Sequence, residues 1–451
     1  MHFIDQFAVR AKNYISTIAS DPVYPTKEAV QDLEKFDTTL QQEPVDANEV
    51  LTLLDEIGSP ATVKNTGGRY YGFVTGGSLA AAMSAKLLAS VWDQNAAFTV
   101  MSPTAAKLET IAGKWMLEIF GLPSDCGFGF VTGDTMANFT ALAAARHKLL
   151  KNTGWDAEAK GLFNAPEITI IVGEEVHVSV LKALSMLGLG RDRVIRIPAD
   201  EQGRMIAEKI PVTGKPTIIC TQAGNVNTGA FDPVEEICMK MKNENVWVHV
   251  DAAFGLWAAA SDEKKYLVQG IEFADSWATD AHKWLNVPYD CGIVFVRDKE
   301  AHFTAMSSTA AYLPGGTMRE ALQYVPEMSR QARAVPVWAA LKSLGTKGLA
   351  ALIEKNCRQA VQFAGALTAA GFTVLNNVVL NQILVSFGDA AITLQVIKQV
   401  QEEGVCWCGG TEWQGKTAMR ISVSAWNTTD DDVQQSLQSI IRQAKNVIAN
   451  H

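Results

Sequence analysis

The chain has 451 residues, of which 48% are hydrophobic and 19% charged, so it is long enough for two packed domains and has the composition of an ordinary globular protein. Its formal net charge of −9 argues against a nucleic-acid-binding surface, because neutralising phosphates requires clustered lysine and arginine, and the sequence has no such run. The N-terminal residues do not show the pattern of a signal sequence, in which a basic region is followed by an apolar run. The sequence also has no window of about 18 uninterrupted apolar residues. We expect a soluble, cytoplasmic protein with small-molecule partners, without nucleic-acid or membrane binding.

The seven cysteines are scattered along the sequence and include no CxxC pair. Cys406 and Cys408 stand close together but are too few ligands for a structural zinc ion. We therefore expect reduced thiols with mostly structural roles, and no bound metal.

The N-terminal residues 1–64 form the most polar part of the sequence. Helical periodicity around residues 29–36 and 50–57 is bounded by prolines, and the pattern predicts no separate core. Residues 67–77 are too rich in glycine and aromatic residues for a helix or a regular strand. They form either a packed loop or the wall of a substrate pocket, because glycines allow a ligand to approach the backbone closely.

A strand, a tight turn and a helix start are predicted over residues 127–142, after an amphipathic helix at 102–120. The free N–H groups and the positive dipole end of a helix N-terminus bind anions, and Thr135 adds a hydroxyl donor. We therefore expect a phosphate group at Gly133, Asp134 and Thr135. Because a carboxylate repels a phosphate, the backbone N–H of Asp134 should face the phosphate while its side chain turns away.

Continuous apolar runs predict buried strands that alternate with helical segments, at residues 168–172, 217–220, 246–251 and 292–296. This pattern indicates an α/β fold with a mostly parallel sheet covered by helices on both faces. Ligands of such sheets collect at the strand ends, where His177, Asp251 and Lys283 stand.

Lys283 stands near two tryptophans, Trp277 and Trp284, and shortly before a buried strand. Burying an ammonium group is costly unless the group is paired or deprotonated. We expect a neutral, nucleophilic amine at this position. The alternative is a lysine whose ammonium group reaches solvent at the rim of the core.

The motifs His249-Val250-Asp251-Ala252-Ala253 and His282-Lys283-Trp284 resemble those of the group II decarboxylases, a fold-type-I family that uses pyridoxal phosphate and includes aromatic amino acid decarboxylases. The resemblance implies that Lys283 holds the cofactor as a Schiff base, that Asp251 pairs with the pyridine nitrogen and that His177 stacks on the ring. It also assigns to the cofactor the residues Gly133, Asp134, Thr135, Ala253, Asp280 and His282. The chain departs from the family pattern at Gly224-Asn225-Val226, where Gly-Thr-Thr would supply hydroxyls near the cofactor.

These residues make chemical sense together. A carboxylate at Asp251 keeps the pyridine nitrogen protonated, and a protonated ring accepts the electrons left when a bond at Cα breaks. Shared cofactor residues do not decide between decarboxylation, transamination and retro-aldol cleavage. Tyr312-Leu313 resembles the family's mobile-loop motif, whose tyrosine protonates the substrate carbon after CO2 leaves; the alternative is an ordinary loop tyrosine. His177 also fits decarboxylation, because aldehyde-forming relatives tend to replace this histidine or the tyrosine. We predict an amino acid decarboxylase, with an aminotransferase as the alternative.

The resemblance assigns substrate binding to the glycine-rich segment, where we select Phe73, Val74 and Thr75. The apolar pair favours an aromatic L-amino acid, whereas Thr75-Gly76-Gly77 leaves room for an acidic one such as glutamate or aspartate. Arg420 either holds a substrate carboxylate or is structural.

The resemblance covers essentially the whole chain and implies three parts. Residues 1–66 are an N-terminal helical segment that packs on the partner subunit of a homodimer, which explains amphipathic helices without a core. Residues 67–330 form a large cofactor-binding domain with a seven-stranded, mostly parallel sheet. Residues 331–451 form a small α+β domain.

Overall fold

The computed structural model describes residues 2–307 and 319–450 of the chain. These residues form two compact units. The first unit contains the described residues of Met1–Gly77, Val361–Leu375 and Ile383–His451, and the second contains those of Ser78–Ala360 and Asn376–Gln382. The packing of residues 1–66 on a partner subunit stays a prediction.

The second unit contains a seven-stranded sheet with the strand order β1-β7-β6-β5-β4-β2-β3. Its strands are β1 (Gly127–Val131), β2 (Thr169–Gly173), β3 (Ile195–Ile197), β4 (Thr217–Gln222), β5 (Val246–Asp251), β6 (Ser276–Asp280) and β7 (Gly292–Val296). Strand β7 pairs antiparallel with β1 and β6, and the other neighbours are parallel. Every residue of β1, β4, β6 and β7 is buried, as in a sheet covered on both faces. The predicted fold class is confirmed.

The described α-helices are α1 (His2–Thr17), α2 (Lys27–Gln31), α3 (Ala47–Leu53), α4 (Ala80–Trp92), α5 (Pro103–Phe120), α6 (Asp134–Asn152), α7 (Ala157–Lys160), α8 (Val178–Met186), α9 (Val234–Lys240), α10 (Lys299–Met306), α11 (Ala334–Ala369), α12 (Ala390–Glu403) and α13 (Asp430–Ala449). Gly345 has a non-helical backbone and divides α11. Helix α6 packs on β5, β6 and β7. Its buried alanines Ala137, Ala141 and Ala144 let the helix lie close to the sheet, which fixes the position of its N-terminus.

A second, antiparallel sheet follows in the C-terminal part, with the strand order β10-β11-β9-β8. Its strands are β8 (Thr373–Val374), β9 (Gln382–Ser386), β10 (Gly409–Trp413) and β11 (Lys416–Ser422). Helix α13 begins with a capping box between Thr429 and Asp432, which satisfies two N–H groups of its first turn. Within the described residues, none of the helices combines the length and the apolar composition needed to span a membrane.

Candidate active site

The carboxyl ends of β1 and β6, together with the segment before α8, surround a cavity of about 330 Å³ in the second unit. Its lining includes the predicted residues Gly133, Asp134, Thr135, His177, Asp280, His282 and Lys283. Residues that are up to 150 positions apart in sequence therefore meet where the fold class places a ligand site.

The turn between β1 and α6 forms one wall of the cavity. Gly133 caps the helix, and its carbonyl oxygen accepts the N–H groups of Met136 and Ala137, so the chain enters α6 directly after the glycine. The free N–H groups of the first helical turn suit an anion. A Cβ atom at Gly292, at the start of β7, would lie 2.4 Å from the carbonyl carbon of Gly133, so the turn reaches this position only because residue 292 has no side chain.

Lys283 lies on the turn after β6, and its Nζ is 3.1 Å from Oδ2 of Asp280. Burial alone would lower the pKa of Lys283, but the nearby acidic groups, with Asp280 acting most strongly, outweigh burial and raise the pKa above its ordinary value. The ion pair with Asp280 and the raised pKa favour an ammonium ion over the neutral amine expected from burial alone.

Asp251 ends β5 and is almost completely buried. Its Oδ1 accepts the N–H of Ala253 at 3.3 Å, and its Oδ2 lies 3.5 Å from Nδ2 of Asn138 and 3.4 Å from Oγ of Ser179. Ala253 in turn accepts the N–H of Asp280 through its carbonyl oxygen, so the ends of β5 and β6 are joined behind the cavity.

A buried chain of hydrogen bonds behind Asp251 was not predicted. Nε1 of Trp247 donates to Oγ of Ser276, which lies 2.9 Å from Nδ1 of His249, and Nε2 of His249 lies 2.7 Å from Oδ1 of Asn138. Because an amide oxygen only accepts, we assign the imidazole proton to Nε2. Burial lowers the pKa of His249 to about 3, so the ring is neutral. This arrangement turns Nδ2 of Asn138 toward the carboxylates.

The two cavity histidines are each held by a backbone N–H group. Nδ1 of His177 accepts the N–H of Ser179 and thereby caps α8. Nδ1 of His282 accepts the N–H of Cys291, and its ring lies against Tyr289 with the ring centroids 4.4 Å apart. Burial lowers the pKa of His282, which favours a neutral ring.

The side chains of Asp134 and Asn225 both have defined hydrogen-bond partners. Oδ2 of Asp134 accepts hydrogen bonds from Asn138 and Ser179, which points this side chain toward β5. Oδ1 of Asn225 accepts the N–H groups of Asn227 and Thr228, so this side chain stabilises its own loop. The assignment of Asp134 to the cofactor stays a prediction.

The predicted substrate residues lie in the first unit. Phe73 and Val74 have positive φ angles of 54° and 58°, a strained conformation for side chains of these types. Val74 and Thr75 are buried, whereas Phe73 is 63% exposed. Arg420 lies on β11, where burial lowers its pKa. Tyr312, the predicted acid, lies outside the described residues.

A family model described as the pyridoxal-dependent decarboxylase conserved domain matches residues 30–387. The chain belongs to this family. L-2,4-diaminobutyrate decarboxylase of Rhizobium meliloti (strain 1021) is 29% identical over 392 residues, covering 82% of this chain and 76% of the relative. Aromatic-L-amino-acid decarboxylase of Bacillus atrophaeus is 25% identical over 458 residues, covering 96% of this chain and 93% of the relative. The crystal structure of Oryza sativa TDC with PLP and tryptamine has a TM-score of 0.90 at 18% identity, covering 99% of this chain and 97% of that one, a likeness of fold.

The family match confirms the predicted family, cofactor and reaction class. This pyridoxal-dependent decarboxylase is a carboxy-lyase acting on an amino acid, and its cofactor is pyridoxal 5′-phosphate. The two named relatives act on different amino acids, so membership of the family leaves the substrate side chain open.

Proposed function

We propose that this decarboxylase converts an aromatic L-amino acid to its amine and CO2. The supporting observation is an aromatic surface in the first unit, in which Phe73 is exposed, Trp407 is partly buried and Tyr70 is buried. The ring of Phe73 lies 5.4 Å from that of Trp407, which stacks on Tyr70 at 5.1 Å. A Cβ atom at Gly72 would lie 2.2 Å from the Trp407 ring, so the glycine is needed for this packing. An aromatic substrate can extend such a stack, because each ring pair contributes about 0.5–1.5 kcal/mol beyond the area buried.

The cavity in the second unit fits the cofactor. We propose that Lys283 carries the cofactor and that the first turn of α6, at Gly133, Asp134 and Thr135, binds its phosphate. Asp251 is buried at the end of β5, and a carboxylate at this position can hold a proton on the pyridine nitrogen. Oδ1 of Asp280 is buried and has no hydrogen-bond partner among the described residues, as expected for a site that takes a polar ligand.

These residues would have separate roles in the reaction. Bound pyridoxal phosphate supplies the ring that accepts the electron pair when a bond at the substrate Cα breaks. Lys283 must lose a proton before its Nζ can bond to carbon, and Oδ2 of Asp280, at 3.1 Å, is a proton acceptor within hydrogen-bond distance. The flanking histidines His177 and His282 are positioned by backbone N–H groups, so they can contact the ring and the phosphate without reorganising.

A substrate screen tests the proposed specificity. Purified enzyme is supplied singly with aromatic amino acids, glutamate, aspartate and 2,4-diaminobutyrate, and both CO2 and amine are measured. We expect the highest kcat/KM with an aromatic substrate; a preference for an acidic or diamino substrate contradicts the proposal. Adding a 2-oxo acid and looking for amino-group exchange tests the aminotransferase alternative.

A matched pair of variants tests the aromatic surface. Phe73→Leu keeps an apolar side chain but removes the ring, so the KM for an aromatic substrate should rise about two- to tenfold, the equivalent of one ring pair. Phe163→Leu is the control, because Phe163 is 90% exposed in the second unit and outside the cavity lining. Equal KM values in the two variants would remove the support for an aromatic substrate.

We further propose a cytoplasmic homodimer. Helix α1 exposes the apolar residues Phe3, Ile4 and Val9, which a second copy of the chain can cover. All seven cysteines are free thiols, which fits a reducing compartment. An active monomer in sedimentation experiments would contradict the dimer, and export of the native protein would contradict the cytoplasmic location.

A further inference from the structure

Two carboxylates share the same hydrogen-bond donors beside the cavity. Oδ2 of Asp134, the first residue of α6, lies 2.8 Å from Nδ2 of Asn138 and 3.1 Å from Oγ of Ser179. The same nitrogen and hydroxyl lie 3.5 and 3.4 Å from Oδ2 of Asp251. One polar atom from each of Asp134, Asp251 and His177 lies within 4.8 Å of the others.

The donors are too few for two ionised carboxylates. The Ser179 hydroxyl has one proton, but Nδ1 of His177 at 2.8 Å and both carboxylates are within its reach. Oδ1 of Asp134 is buried and has no hydrogen-bond partner among the described residues. A buried ionised oxygen without a hydrogen-bond donor is costly. A protonated carboxyl group lowers this cost, because it is neutral and supplies a hydrogen-bond donor of its own.

The surrounding charges also favour the protonated form of Asp134. Burial raises the pKa of Asp134 well above its ordinary value, and the nearby Asp251 and Asp280 raise it further. Lys283 and the Ser179 hydroxyl act in the opposite direction without reversing the shift. Asp134 thus faces two carboxylates, one ammonium group and a histidine, from β5, β6, the turn after β6 and the segment before α8.

We propose that Asp134 is a positioning residue that works as a carboxylic acid: its proton keeps the Asp134–Asp251 pair at one negative charge and allows the enzyme to retain its cofactor. This inference rests on the proposed roles of Asp251 and of the first turn of α6. When Asp134 ionises, a second negative charge appears at the helix N-terminus where the phosphate binds, and it repels the phosphate. Cofactor affinity should therefore fall as the pH rises.

Pyridoxine 5′-phosphate tests the proposal, because it has the ring and the phosphate but no aldehyde to react with Lys283. Its Kd is measured from pH 6 to 9 by fluorescence titration of the cofactor-free protein. For the wild type, the Kd should rise with pH by up to about tenfold per unit once Asp134 titrates. Asp134→Asn and Asp134→Ala lack the titrating group, so the ratio of wild-type to variant Kd should grow with pH. Parallel profiles would overturn the proposal.

The control is Asp275→Asn. Asp275 precedes β6 at the opposite end of the sheet and has a pKa raised by burial to about 6, so it is a second titrating carboxylate outside the cavity lining. An asparagine oxygen can still accept the N–H that Val248 donates to Asp275. This variant should follow the wild-type Kd profile; a flattened profile would show that Asp134 is not the controlling group and would overturn the proposal.

Thermal melting of the cofactor-free protein gives an independent readout. A carboxyl group whose pKa is raised on folding contributes to the stability of the folded protein, and this contribution is lost as the pH rises from the unfolded to the folded pKa of the group. The melting temperature of the wild type should therefore fall relative to that of Asp134→Asn between pH 6 and 9, and a constant difference would contradict the proposal.

Borohydride labelling of Lys283 by pyridoxal phosphate separates the role of Asp134 from the proposed cofactor roles. Absence of labelling at every pH refutes the proposed cofactor roles, whereas labelling with parallel Kd profiles refutes only the role of Asp134.

Discussion

The buried histidine behind the site predicts how the protein responds to acid. His249 is fully buried, and its pKa is lowered from 6.5 to about 3. A base whose pKa falls on folding stabilises the protein fully above its unfolded pKa, and this stability is lost as the pH falls through 6.5 toward 3. At pH 5, about 1.5 units below the unfolded value, the loss is about 2 kcal/mol at about 1.36 kcal/mol per unit. Replacing His249 by glutamine should remove this part of the acid sensitivity.

His302 supplies a matched control. It is also fully buried, with a pKa lowered to about 3, but its Nε2 donates to the carbonyl oxygen of Tyr324, outside the cavity lining. Urea unfolding of the cofactor-free proteins at pH 7 and pH 5, followed by tryptophan fluorescence, should show that His249→Gln and His302→Gln each lose about 2 kcal/mol less than the wild type. Only His249→Gln should also weaken pyridoxal phosphate binding, because it releases Asn138. A wild-type acid response in His249→Gln would refute a neutral buried imidazole.

Three further predictions concern the chemistry. Borohydride reduction of the holoenzyme followed by peptide mapping should place a pyridoxyl group on Lys283, and a label on another lysine would contradict the assignment. Asp251→Asn should lower CO2 release about 10- to 1000-fold, because the carboxylate supports the protonated ring nitrogen by about one to three pKa units; unchanged release would exclude this pairing. Tyr312→Phe should leave CO2 release detectable but lower amine formation about 10²–10⁴-fold, with aldehyde, ammonia and peroxide appearing instead. Amine formation at the wild-type rate would make Tyr312 an ordinary loop residue.

Local patterns predicted much of the sheet but not all of it. Runs of apolar residues identified β2, β4, β5 and β7, because strands covered on both faces require apolar side chains in succession. Strand β6 (Ser276–Asp280) was not predicted, because three of its five residues are polar. In the structure, Ser276 belongs to a buried hydrogen-bond chain and Asp280 contacts Lys283, so tertiary contacts compensate for the polar sequence. Strand β3 has only three residues and its first two are exposed, so its pattern is too weak to detect.

The charge state of the site could not be predicted from neighbouring residues. The sequence around Lys283 indicates burial, which alone favours a neutral amine. The opposite outcome arises chiefly from Asp280 and also from Asp251, which ends a different strand. The contact between His249 and Asn138 likewise joins residues 111 positions apart, and no local pattern predicts it.

Gly292 shows how a residue outside the cavity lining can control the site. It pairs with Val131 on one side and with Asp280 on the other, so it lies in the sheet between the two strands that lead into the cavity. An added Cβ atom would approach the backbone of Gly133 to within 2.4 Å. In a mutational survey, a substitution at position 292 should therefore lower activity as a substitution of an active-site residue does, although Gly292 has no side chain that could contact a ligand. Engineering of this enzyme for new substrates should leave this position unchanged and vary side chains elsewhere.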